Sequence, residues 1–254
     1  MRNLTKELRI AIDGDDIDSI KRLLDEGAPM ITEHFALATR MRRHDVLRLF
    51  LDRGWDINAD VDSLIPSAVV YTFNDTTLLE WSLKHGADSN KCSRIRDCTP
   101  LSYAVLEGPF EAIEILLRSG GSATQGQLLH YAAMRKSMDC LRVLEFIYSQ
   151  IPGADASSIN KLLDEDSPTD FAMNYRAGLG TPLHYAALAG SLDSVKFLVE
   201  KGGDPWLLDP YRRTALSWAV YNKQKEVVQF LESLRDSTLS NTQKQEPHSI
   251  GIVV

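Results

Sequence analysis

Residues 181–213 read TPLHYAALAGSLDSVKFLVEKGGDPWLLDPYRR, and thirty-three residues after Thr181 the chain restarts at Thr214 with TALSWAVYNKQKEVVQFLESL. Upstream, Thr99 opens TPLSYAVLEGPFEAIEILLRSGG. That copy places Gly108, Ile113, Leu116, Leu117 and Gly120 at the offsets where the Thr181 copy carries Gly190, Val195, Leu198, Val199 and Gly202. Gln127 begins a further copy, QLLHYAAMRKSMDCLRVL, which repeats at residues 130–133 the His-Tyr-Ala-Ala of residues 184–187. Self-similarity at a fixed period of this size is the signature of a chain built from stacked supersecondary units.

The units themselves read as pairs of amphipathic helices. Leu192, Val195, Leu198 and Val199 recur at spacings of three and four, as do Ile113, Leu116 and Leu117, which aligns them on one face of a 3.6-residue turn. Ala186 and Ala187 are small where two helices must approach closely. Gly202 falls where a helix ends in a left-handed cap that disfavours a Cβ. A single such unit cannot bury its apolar stripe alone, so stability must come from the interfaces between neighbours.

These residues resemble the ankyrin repeat, whose unit of about 33 residues opens its first helix with T-P-L-H-x-A. The resemblance implies an all-α solenoid: two antiparallel helices per unit, a loop projecting roughly at right angles, and units stacked side by side. Weaker copies then become readable. Ile31 opens a unit that keeps His34, Ala36 and Gly54; Ser63 opens one that keeps Ala68 and Gly86-Ala87-Asp88; Thr5 opens a degenerate first unit with Gly14, Leu23, Leu24 and Gly27-Ala28. About seven helix-turn-helix units, starting near residues 5, 31, 63, 99, 127, 181 and 214, are expected to form one repeat domain over residues 1–234.

Two intervals break the rhythm. Six residues separate Gly120 from Gln127, against eleven between Gly202 and Thr214, which predicts a truncated projecting loop and a notch before the fifth unit. The 54-residue interval from Gln127 to Thr181 predicts an insertion over about 149–175 containing Pro152, Gly153, Pro168 and the acidic run Asp164-Glu165-Asp166. Its SSINKLLDE stretch suggests a short helix capped by Ser157 or Ser158. Residues 235–254 lose periodicity and read as a disordered tail. Its apolar end, Ile250-Gly251-Ile252-Val253-Val254, either adds a strand to a carboxylate-binding groove or is incidental.

Composition bounds the partners. The net charge of −7 removes the basic excess that would draw nucleic acid or anionic lipid to the whole surface. With 44% hydrophobic and 25% charged residues the chain has the make-up of a folded soluble domain. Three cysteines without a CxxC pair are neither a disulfide framework nor a zinc pattern. There is no signal-like apolar stretch in the first twenty residues and no run of 18 apolar residues. A cytoplasmic or nuclear location is the expectation, with no membrane insertion and no nucleic acid.

His130 and His184 share the fourth position of T-P-L-H, with His34 in the same slot. There the resemblance implies that imidazole bonds loop backbone rather than performing acid–base or metal chemistry. Cys92 and Cys98 flank one loop, KCSRIRDC, in which Lys91, Arg94 and Arg96 are poised either to lower a thiol pKa, to contact an acidic partner or simply to be solvated. The glycines of residues 121–126 echo a phosphate loop, but Gln127 and Leu128 replace its lysine and hydroxyl. No catalytic residue, metal site or cofactor is expected.

What remains is a surface. The resemblance implies contact through residues just before the repeat threonine and those seven and eight positions after it. These are Leu106 and Glu107, Met134 and Arg135, Leu188 and Ala189, and Tyr221 and Asn222. Loop tips add Ile95, Arg96, Tyr211 and Arg213, with the tyrosine and arginines of types enriched at binding hot spots. Trp206 is placed toward the core, and Trp81 and Trp218 are read as packing residues. The expected function is a non-enzymatic protein–protein interaction module or adaptor, a monomer by itself, with no small-molecule substrate. The alternative is a substrate-recognition or regulatory subunit of a larger complex such as a ubiquitin ligase, although no F-box-like or SOCS-box-like segment is visible.

Overall fold

A computed structural model describes residues 2–174 and 179–243, with residues 236–243 as backbone alone. Among the described residues every regular element is helical. The first unit pairs α1 (Leu4–Asp13) with α2 (Ile17–Asp25), and the second pairs α3 (Thr32–Arg40) with α4 (His44–Asp52). A 3-10 segment, Ala68–Thr72, and α5 (Thr76–Lys84) make the third. The fourth is α6 (Pro100–Glu107) with α7 (Phe110–Arg118), and the fifth is α8 (Leu128–Met134) with α9 (Cys140–Gln150). Two short helices, α10 (Ala156–Ile159) and α11 (Pro168–Asn174), precede the sixth unit, α12 (Pro182–Ala189) with α13 (Leu192–Glu200). The last unit is α14 (Ala215–Tyr221) with α15 (Lys225–Gln243).

The repeat threonines act where the sequence puts them. Thr99 and Thr214 each accept a hydrogen bond from the third helical N–H through the hydroxyl, from Ser102 at 3.2 Å and Ser217 at 3.3 Å, satisfying donors that have no intrahelical partner. Proline at the first helical position of α6 and α12 has its φ already set for the helix. Gly202 closes its unit at φ +94°, a left-handed conformation that penalises any side chain.

First helices pack side by side in the order α1, α3, the 3-10 segment, α6, α8, α12 and α14, while second helices form a row behind them. Ala104, Ala132, Ala186, Ala187 and Ala219 are fully buried between first helices, where a larger side chain would hold the rows apart. Leu101, Ile113, Leu116, Leu144 and Leu198 fill the space behind. The loops are tied as well. Asn58 Nδ2 donates to the Gly86 carbonyl at 2.8 Å, while Asn58 Oδ1 accepts the Asp88 N–H at 2.8 Å. Asn90 repeats this with Gly120 and Ser122, and Asn160 with Gly202 and Asp204.

Asn160 keeps the regular loop bonds, so the extra chain is divided around it: α9 runs longer and α10 is added before Asn160, and a further stretch lies between Lys161 and Thr181. Helix α10 is capped by the Asp155 carboxylate, which accepts the N–H groups of Ser157 and Ser158, so neither serine is the cap and Lys161-Leu162-Leu163 is not helical. The expected truncation is visible as the short 121–127 connection, with Thr124 where the ladder needs an asparagine. Two further expectations change. The third unit opens with a five-residue 3-10 segment rather than an α-helix, and Thr72 Oγ1 bonds back to the Val69 carbonyl at 2.7 Å. Residues from 235 on, expected to be disordered, continue α15 to Gln243; the apolar terminus 250–254 lies outside the described residues.

Candidate protein-interaction surface

The histidine slots are occupied by structure-building bonds. Thr181 N–H donates to His184 Nδ1 at 3.2 Å, which fixes the proton on Nε2, and Nε2 donates to the Arg213 carbonyl at 3.0 Å in the next unit. His130 Nε2 likewise donates to the Lys161 carbonyl at 2.9 Å, and Ser102 substitutes for histidine by donating to the Gly126 carbonyl at 2.6 Å. Burial favours the neutral ring: the pKa of His130 is pushed down to about 4 and that of His184 is lowered. His34 departs from the slot. With Ile31 in place of threonine, nothing at the helix start donates to its Nδ1, and its Nε2 bonds backward to the Thr5 carbonyl at 3.0 Å.

The positions seven and eight after each unit start divide into two clefts. Leu106, Glu107 and Met134 line one of about 350 Å³. Arg135, Leu188, Ala189 and Asn222 meet around the next, of about 470 Å³. Leu106, Met134, Leu188 and Ala189 are half-buried, Glu107 and Asn222 are exposed, and Tyr221 is 84% exposed.

Arg135 is the exception. It was expected at the surface, yet it is only 4% exposed. Its guanidinium donates to the carbonyls of Val105 at 3.0 Å and Gly108 at 2.9 Å and pairs with Asp139 at 2.8 Å. It satisfies the open C-terminal carbonyls of α6 and holds Asp139 below the usual carboxylate range. The same joint recurs with other residues: Arg43 donates to the Asp13 carbonyl, and Asn222 and Gln224 donate to that of Leu188. Asn222 is therefore partly committed to stacking.

The loop tips are more constrained than their composition implies. Arg213 pairs with Asp209 at 2.7 Å and lies over the rings of Tyr211 and Trp218. Asp209 is buried, and although burial raises its pKa, bonds from Arg213 and Trp218 Nε1 outweigh that and hold it low. Tyr211 is 45% exposed and Trp206 36%, so Trp206 does not enter the core as expected, while Trp218 is buried and Trp81 half-buried. Arg96 is exposed and Ile95 half-buried, its carbonyl facing Asn174 Nδ2 at 3.5 Å.

The cysteine loop is not activated. Lys91 and Arg94 turn away to Asp60, at 3.2 and 2.7 Å, and burial pushes both Cys92 and Cys98 up to about 11, with Asp97 adding to the rise at Cys92. Among the described residues no group of three histidine, cysteine or carboxylate side chains is placed to hold a metal ion, and no helix is long and apolar enough to cross a membrane.

Sequence offsets missed part of this face. Leu37, Arg40, Tyr71, Tyr103 and Val220 also reach solvent on the first-helix row. Counting seven and eight from Ile31 gives Ala38 and Thr39, both buried, although α3 starts at the residue after Ile31 just as α6 starts after Thr99. The alternation of small and large residues in FALATR was the available signal.

The family model for Ankyrin repeats (3 copies) matches residues 146–239. The fowlpox virus protein FPV022, whose name carries the words ankyrin repeat protein, is 26% identical over 266 aligned positions, 86% of this chain and 45% of its own. The Arabidopsis thaliana serine/threonine-protein kinase VIK is 37% identical over 79 positions, 31% of this chain and 18% of its own. The rice (Oryza sativa subsp. japonica) Probable E3 ubiquitin-protein ligase XBOS33 is 38% identical over 98 positions, 39% of this chain and 19% of its own. The chain thus spans less than half the length of each of these relatives. With the helix pairs, the T-P-L-H bonds and the tied loops, these matches make the chain an ankyrin-repeat-containing protein.

Proposed function

We propose that the chain is a protein-recognition module that binds its partner along the first-helix row and the adjoining loop tips, and that it contributes no catalytic step. One observation carries this reading: Leu106, Met134, Leu188 and Tyr221 occupy one register position in four successive units and leave an apolar, partly open lane. Aromatic and aliphatic anchors set in clefts with a polar rim are what binding energy concentrates on. The matched kinase and ligase are both much longer than this chain, which favours a second reading, in which these repeats supply recognition to a larger assembly.

The test is quantitative mass spectrometry of proteins co-purifying with the wild type and with a Leu106→Ser/Tyr221→Ser variant whose circular dichroism is unchanged. Loss of a defined set of proteins with the variant supports the reading. An unchanged set contradicts it.

A further inference from the structure

The first two units carry a feature the lane does not need. Lys6 and Arg9 on α1 and Glu33, His34, Leu37 and Arg40 on α3 line a cleft of about 650 Å³. Lys6, Arg9 and Arg40 are exposed. None of the three is within ion-pairing distance of a carboxylate among the described residues, although the chain as a whole carries a net charge of −7. Five other arginines are spent internally: Arg43 on Asp15, Arg53 on Asp25, Arg94 on Asp60, Arg135 on Asp139 and Arg213 on Asp209. Arg40 is instead held by stacking, its guanidinium carbon 4.8 Å from the centre of the Tyr71 ring and its Nε on the Ala36 carbonyl at 3.3 Å. That arrangement orders the side chain while leaving its terminal nitrogens free of any carboxylate.

We propose that this cleft receives an extended acidic segment of a protein partner, an inference that rests on the recognition function above and gives its ligand a chemistry. Adjacent helix axes lie about 8–10 Å apart, and an extended chain rises about 3.3 Å per residue. Carboxylates three residues apart therefore reach from Lys6 and Arg9 on one helix to Arg40 on the other, with an apolar residue between them over Leu37. Glu33 at the same cleft discriminates against a long polyanion: three cations beside one carboxylate suit a short acidic stretch, whereas a nucleic acid needs a row of phosphate contacts.

The probe is a fluorescein-labelled ten-residue peptide with two Asp-Glu pairs flanking one leucine, titrated against the whole chain by fluorescence anisotropy at 50 and 200 mM salt. The expected result is binding that weakens at the higher salt and falls at least tenfold in Arg9→Glu/Arg40→Glu. The same charge change elsewhere, Lys136→Glu/Lys223→Glu, leaves it within twofold. Lys6→Ala/Arg9→Ala, which spares the Arg40–Tyr71 stack, keeps the test valid if the first variant melts early, and it should weaken binding at least threefold. No binding, or equal loss in both charge-reversal pairs, overturns the proposal. So does a single-stranded RNA of similar length that binds more tightly and displaces the peptide. If the peptide fails while Leu106→Ser/Tyr221→Ser still strips co-purifying proteins, the acidic ligand is wrong and the recognition function stands; if both fail, both are wrong.

Discussion

Gln127 grips Asp164 from two sides across the notch: its Nε2 donates to Asp164 Oδ1 at 2.8 Å, and its Oε1 accepts the Asp164 N–H at 2.6 Å. Asn174 Nδ2 completes the group by donating to Asp164 Oδ2 at 2.9 Å. The residue that follows the truncated loop therefore seats the segment that is too long. The inserted chain leans back over the gap as far as Ile95. Gln127→Ala removes both reciprocal bonds and leaves a buried carboxylate short of a donor, which costs roughly 1–3 kcal/mol locally. Hydrogen exchange over residues 161–174 should accelerate while the rest of the chain keeps its protection.

Arg135 makes a second, sharper prediction. Arg135→Ala strips donors from the buried Val105 and Gly108 carbonyls and leaves Asp139 without its cation, a loss of about 3 kcal/mol at the upper end for bonds to charged groups. Urea titration should show this destabilisation, with Arg135→Lys falling between the two because an ammonium cannot reproduce the fork.

Gly126 is fixed by proximity as much as by conformation. At φ +70° a Cβ there would stand 2.2 Å from Ser102 Oγ, the hydroxyl that must donate to the Gly126 carbonyl. Gly126→Ala is expected to lower the thermal midpoint clearly, and Gly126→Ala/Ser102→Gly to recover only part of it, since the Ser102 clash goes but the bond is lost and Thr99 Oγ1 still stands 2.8 Å from the new Cβ.

Acid should weaken the stack through His130. Its folded pKa, about 4, lies below the unfolded value near 6.5, so the unfolded chain binds the extra proton first. The contribution is fully present above pH 6.5 and is lost as pH falls from about 6.5 to about 4, to a total of about 3 kcal/mol at 1.36 kcal/mol per pKa unit. Urea midpoints at pH 7.5 and 4.5 should differ more for the wild type than for His130→Gln.

Leu198 is fully buried between the rows, and Leu198→Ala should cost roughly 2–5 kcal/mol in the same titration. A loss near zero would remove the residue from the core.

The units that carry Thr99 and Thr181 were legible because capping, proline at the first helical position and a glycine stop all act within one turn of the chain, and the Thr214 unit because it repeats their threonine and apolar spacing. Helices begin at the residue after each threonine. What could not be read depends on partners distant in sequence. Arg135 looks like an ordinary solvated helix end until the α6 carbonyls some thirty residues earlier come to lie beside it. The division of the extra chain around Asn160 hangs on that residue meeting Gly202. The face itself was half-legible: the offsets named Leu106, Glu107, Met134, Leu188 and Ala189 beside open clefts, and missed Leu37, Arg40 and Tyr71, whose units lack the opening threonine.

The central claim is that a protein partner lies along the first-helix row. Hydrogen exchange of the chain alone and saturated with its co-purified partner tests it most directly. Protection should appear at the C-terminal ends of α6, α8, α12 and α14, with α5, α7 and α13 unchanged. Protection confined to those second helices, or to α11, would contradict the account.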